Sequence, residues 1–146
     1  MLRLFFRFPS VAVLAHKPCD SIMPLNLESI RTYCLKKEGR ITEEFPFDEV
    51  VLVFKVNRKI FILIMTDAHP LTINLKCDPE RAIELREQYP AVIPGYHMNK
   101  KHWNTVLLDG TIPPKEVYAM IDHSFELIAK GVKPIKRKKT VKKNSR

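Results

Sequence analysis

The sequence predicts an α+β fold: an antiparallel sheet of four to five strands with helices on one face, in the order α-β-β-β-α-β-α. Three observations carry this. Residues 50–56 and 60–65 are β-branched and aromatic runs joined by Asn57-Arg58-Lys59, the pattern of a hairpin. Val117, Met120, Ile121, Ser124, Phe125 and Ile128 recur at helical spacing and form one inward stripe. Asp78-Pro79-Glu80 sets a capping side chain, a proline and an acid where a helix begins. An antiparallel sheet must bury at least one face, and amphipathic helices are the cheapest cover.

The remaining elements follow in order. Leu25 to Gly39 reads as a helix, capped by Asn26, with Leu27, Ile30, Tyr33 and Cys34 on its inner side and Gly39 as a left-handed stop. Residues 43–49 read as a loop whose acids stay in solvent while Phe45 and Phe47 tuck under the sheet. The hairpin turn is left open, because Asn57 tolerates a positive φ and Arg58 does so less readily. Leu71 to Lys76 alternates with period two and is a third strand. In the second helix Ala82, Leu85 and Tyr89 face inward and Pro90 ends it. Residues 91–93 are a short extended piece with room for one more small strand, and Trp103 to Leu108 is the last clear strand. Pro113-Pro114 opens the third helix, and Gly131 and Pro134 close it.

Charge is unevenly placed. The chain of 146 residues carries a net +9, but eight of its 25 Lys and Arg lie in 131–146, with no acid, and three lie in 1–22. Residues 23–130 hold 14 basic against 15 acidic residues, so any polyanion site in this body must be a local cluster. The division is therefore a leader at 1–22, a domain at 23–130 and a basic tail at 131–146, too polar to pack and expected to be disordered. The leader, broken by Arg7 and Pro9, is a poor signal peptide. It is expected to be loosely packed, and either suits organelle import or precedes a true start at Met23. Cys19, Cys34 and Cys77 are odd in number and have no CxxC spacing, which disfavours a disulfide frame or zinc site and suits a reducing, cytoplasmic setting. No apolar run approaches a membrane span.

The densest set of special side chains is Gly95-Tyr96-His97-Met98-Asn99-Lys100-Lys101-His102-Trp103-Asn104-Thr105-Val106, followed by Asp109-Gly110. With Phe45-Pro46-Phe47, Phe54-Lys55-Val56, Lys59, Leu75 to Glu80, Leu85-Arg86, Tyr89-Pro90 and Asp122-His123-Ser124, this run resembles the MmcQ/YjbR family over about 25–130. The chain departs from the family at Phe125, where a Tyr is usual, and at the hairpin turn, where Gly is common. The resemblance implies a two-layer sandwich like that of the bacterial frataxin CyaY, and a double-wing mode of DNA binding.

The residues add their own support. Lys55, Arg58 and Lys59 at the first hairpin, and Lys100, Lys101 and His102 in the central run, could meet phosphate oxygens. His97, Asn99 and His102 could donate hydrogen bonds to phosphate or base edges, and Trp103 could stack on an unpaired base. Against this, a lone Trp at a strand start is more often core, and Asn99 and Asn104 could serve the loop's own backbone. Catalysis finds little foothold. There is no Gly-rich phosphate loop, and Asp122-His123-Ser124 are successive helix residues about 100° apart that cannot converge. Cys77, before a helix, is the only thiol with a route to a lowered pKa. The first helix carries Glu28 and Glu38 against Arg31, Lys36 and Lys37, so the acidic ridge of an iron-binding frataxin is missing. The expectation is a small non-enzymatic monomer, without metal or cofactor, that binds DNA weakly through basic loop tips and its tail. The alternative is a protein-interaction or adaptor domain with no nucleic-acid specificity.

Overall fold

The structure, a computed structural model, describes residues 25–131. The expectations for the leader and most of the basic tail lie outside these residues. The elements run α1 (Leu27–Leu35), β1 (Ile41–Glu44), β2 (Val51–Val56), β3 (Lys59–Met65), β4 (Thr72–Lys76), α2 (Pro79–Gln88), β5 (Val92–Pro94), β6 (Trp103–Leu107) and α3 (Pro114–Lys130). The strands form one six-stranded sheet in the order β1-β2-β3-β4-β6-β5, and every neighbouring pair is antiparallel.

The α+β class and the antiparallel sheet therefore hold, while the strand count and order are corrected. β5 is the small strand for which 91–93 left room. β1 is the addition: Ile41 pairs Val56 and Glu44 pairs Val53, so the two acids read as loop are half of an edge strand. Phe45 and Phe47 are 51% and 67% exposed, not tucked under the sheet. They follow the edge strand and lie beyond the last paired row, where no helix covers them.

The helices cover one face. Ile30 and Cys34 of α1, Ala82 and Leu85 of α2, and Val117, Met120, Ile121 and Ile128 of α3 share one core with Leu52, Phe54, Ile62, Ile64, Ile73, Leu75 and Val106. A register shift pairs Phe54 with Ile62 but Lys55 with Ile60, leaving Phe61 as the bulged residue. The bulge turns Phe61 toward the helix layer, where it meets Phe125 edge-on at 5.3 Å.

Local chemistry sets the boundaries. Asn26 and Ser29 form a reciprocal capping box at α1. The helix ends at Lys36, and Gly39, at φ 114, serves instead as the turn into β1. Asp78 caps α2 by accepting the Glu80 N–H at 3.1 Å. Asn57 and Arg58 have φ 50 and 71, so the hairpin closes with two left-handed residues, the turn that matches strand twist.

Candidate functional site: the basic end of the sheet

Antiparallel register decides which loops are neighbours. Val56 pairs both Ile41 and Lys59, and Lys76 at the end of β4 pairs Trp103 at the start of β6. The Gly39-Arg40 turn, the Asn57-Arg58 turn, the exit of β4 and the loop 95–102 therefore all lie at one end of the sheet. Arg40, Arg58, Lys59, Lys100 and Lys101 are exposed there, and none pairs with a carboxylate among the described residues. The opposite end carries Asp48, Glu49, Asp67 and Asp109 in its exposed loops. Exposed Asp78 and Glu80 at the exit of β4 share the first end, so its basic character is a local cluster on the two turns and the loop 95–102. With strands about 4.8 Å apart, the β2–β3 turn and the start of β6 are separated by about 12 Å across the sheet.

The loop 95–102 is built rigidly from below. Arg86 of α2 donates from Nε to Asn104 Oδ1 at 2.8 Å and from Nη2 to the carbonyls of Trp103, at 3.3 Å, and Lys100. The Asn99 carbonyl accepts the N–H groups of His102 and Trp103, and Asn99 Oδ1 accepts that of Lys101 at 3.0 Å. The Gly95 N–H donates to the Trp103 carbonyl at 2.9 Å. A Cβ on Gly95 would lie 2.9 Å from both Trp103 Cβ and Trp103 O, so only glycine permits this approach. The Tyr96 N–H donates to Thr105 Oγ1 at 3.0 Å, and that hydroxyl donates to the buried Asn74 Oδ1 at 2.5 Å.

The structure separates the predicted residues into two groups. Arg58, Lys59, His97, Lys100 and Lys101 are exposed at the basic end. Lys55 is not at a tip: it lies within β2 and pairs with Glu44 at 2.6 Å. His102 is half-buried, with its carbonyl accepting the Cys77 N–H at 2.8 Å. Trp103 is a half-buried strand residue, and Asn99 braces the loop backbone while its side chain stays at the surface. Asn104 is 2% exposed, and its Nδ2 finds no partner among the described residues.

The helix-three triplet, whose members cannot converge on one point, is a row of anchors. Asp122 accepts the Tyr33 hydroxyl at 2.8 Å and pairs with Lys37, fastening α3 to α1. His123 Nε2 accepts the Asp78 N–H at 3.2 Å, and buried Ser124 accepts the Lys76 N–H at 2.9 Å while donating to the Phe61 carbonyl at 2.5 Å. Three successive side chains thus point three ways and hold α1, the start of α2, β4 and β3. Phe125, lacking the family's hydroxyl, lies with its ring 5.5 Å from Lys37 Nζ. Cys77 is buried, and that burial raises its thiol pKa, reversing the direction a helix N-terminus would give. Among the described residues no three His, Cys, Asp or Glu side chains gather as a metal site requires, and no helix is long and apolar enough to cross a membrane.

Sequence reasoning overlooked Tyr96 and Arg86. Tyr96 is 65% exposed in the loop, and Arg86 looks from its spacing like any solvated helix residue. Both stood among the residues that carry the family resemblance, but neither position alone told a brace or an exposed ring from an ordinary surface residue.

Fold and site define a small α+β protein whose sheet ends in a braced cationic loop. The chain belongs to the YjbR family: the family model described as YjbR matches residues 35–127. It is 31% identical over 114 residues to protein YjbR of Escherichia coli K12, covering 78% of this chain and 96% of that one. Protein YbdF of Escherichia coli O157:H7 is 38% identical over 88 residues, covering 60% of this chain and 72% of its own. Among solved structures, protein DR2400 of Deinococcus radiodurans aligns with a TM-score of 0.70 at 39% identity, covering 74% of this chain and 81% of that one. A Pseudomonas syringae protein solved by crystallography aligns at 0.62 and 32% identity, covering 71% and 99% respectively.

Proposed function

We propose that this chain is a small non-enzymatic protein that binds nucleic acid, DNA in the first instance, weakly through the basic end of its sheet. The observation that carries the proposal is the placement of two loops at one end of a rigid sheet, with Arg58 and Lys59 on one and Lys100 and Lys101 on the other, cations that pair with no carboxylate among the described residues. Each phosphate neutralised there releases a counterion, so affinity accumulates without any base contact. The geometry suits the double-wing and CyaY-like descriptions, with the two loops as wings. α3 runs from the acidic end, and its Ser124 reaches Lys76 at the basic end, so α3 ends at Lys130 on that side. The working unit is one chain in a reducing cytoplasm, a setting that suits free, buried Cys34 and Cys77.

The second reading is a protein-interaction domain, favoured by exposed Phe45 and Phe47 beside Asp48 and Glu49 at the opposite end. Fluorescence anisotropy with a short labelled duplex separates the two. The full chain, Lys100→Ala/Lys101→Ala, Arg58→Ala/Lys59→Ala, and a variant with its eight tail cations changed to Gln are compared. Both loop variants should bind more weakly than the parent, and the tail variant should keep binding that depends on the loops. Loss confined to the tail variant overturns the proposal and leaves the interaction domain.

A further inference from the structure

We propose that Tyr96 is a stacking platform for an unpaired nucleobase, so that the ligand of the basic end is single-stranded; this rests on the polyanion reading above. Tyrosine gains most by burying its ring, yet Tyr96 holds 65% of its surface in solvent. It is not a loose side chain on a loose loop. Its N–H is fixed to Thr105 Oγ1 at 3.0 Å, and that hydroxyl is fixed in turn to Asn74, with both partners buried. The preceding Gly95 is pressed against Trp103, and the following His97 sits at φ 56, a left-handed conformation uncommon outside glycine that histidine tolerates better than most residues. That left-handed turn brings the imidazole to 4.0 Å from the phenol ring, tilted 58°, as a backing on one side. Such strain persists only where the surroundings impose it, and it is concentrated at sites that hold a ligand.

The neighbours fit an oligonucleotide. Lys100 and Lys101 follow in the same loop, exposed and without a carboxylate partner among the described residues. An exposed ring in the same loop as free cations is an arrangement that suits single strands, since every base offers a π-face whatever its sequence. A base within a duplex is already stacked on both sides and has no face to give. Trp103, the aromatic singled out by sequence, is half-buried and offers less of its surface to a base than Tyr96 does.

The test is binding by the full chain to a labelled oligothymidylate, an oligouridylate of the same length, and a duplex of that length at fixed salt. Tyr96→Ala should weaken single-strand binding by about 5- to 150-fold and leave duplex binding within about twofold. Tyr96→Phe, which keeps the ring, should stay near the parent, and a Tyr96-dependent loss on either the deoxy or the ribo strand supports stacking. Loss of equal size in Tyr96→Phe overturns it, because the hydroxyl would then be the contact. Unchanged single-strand binding in Tyr96→Ala, with Lys100→Ala/Lys101→Ala weakening both ligands, overturns the stacking and leaves the polyanion reading intact. If the lysine variant affects neither ligand, both fall together.

Discussion

Replacing Arg86 by alanine tests whether the loop is held from below. The guanidinium makes one bond to a buried side-chain oxygen, Asn104 Oδ1 at 2.8 Å, and two to backbone carbonyls. Stranding a buried acceptor costs about 1–3 kcal/mol, whereas the Lys100 and Trp103 carbonyls, nearer the surface, can turn to water. Asn104 already leaves its Nδ2 without a partner, so the substitution would leave its side-chain amide wholly unbonded. Adding the lost contact of the arginine stem gives a destabilisation of about 2–4 kcal/mol. Urea unfolding should show a lower midpoint at an unchanged m-value. Arg86→Lys should recover only part of this, because one ammonium cannot span three acceptors fixed in a fork geometry. A double-mutant cycle with Asn104→Ala should show coupling of about 1–3 kcal/mol. A cost below about 0.5 kcal/mol for Arg86→Ala, or strict additivity in the cycle, would refute the clamp.

Other consequences follow from the α3 anchors. Ser124→Ala removes a buried hydroxyl that serves both the Lys76 N–H and the Phe61 carbonyl, and should cost about 2–4 kcal/mol by denaturant unfolding. Burial, and then Arg81, lowers the pKa of His123 from 6.5. On acidification the unfolded chain therefore takes up this proton first. The stabilising contribution is full above 6.5 and is lost as pH falls through the lower folded value. The urea midpoint should drop on acidification through this window, and His123→Gln, which keeps an acceptor for the Asp78 N–H, should flatten that part of the profile. Burial, and then the bond to Asp122, raises Tyr33 to about 12. A spectrophotometric titration should show a late tyrosine component that Tyr33→Phe removes.

What the sequence made legible was local and punctuated. Asn26, Asp78-Pro79 and Pro113-Pro114 mark helix starts because capping and proline chemistry act within one turn. The β2–β3 hairpin was legible from side-chain type and spacing. β1 was not, because Ile41-Thr42-Glu43-Glu44 is short and acidic, and its extension comes from the ladder with β2. Glu43 is settled by a partner twelve residues away, Arg31 Nε at 2.6 Å, a contact no local window contains. The site was half legible. Lys100 and Lys101 stood out by composition, but their nearness to Arg58 and Lys59 is a property of strand order, through β4, and not of chain distance. Tyr96 was passed over for Trp103 because residue size suggests burial or stacking alike, and only backbone geometry separates the two.

The most direct measurement is the slope of log affinity against log salt for a short single strand bound by the tail-neutralised full chain. If the two loops form one surface, changing Arg58 and Lys59 or Lys100 and Lys101 to alanine should each flatten that slope by about 1.4, at about 0.7 per phosphate contact, and changing all four should flatten it by about twice as much. A slope that stays with the parent in one pair would mean that the two loops form no single surface, and slopes that stay in both would mean that the basic end carries no polyanion.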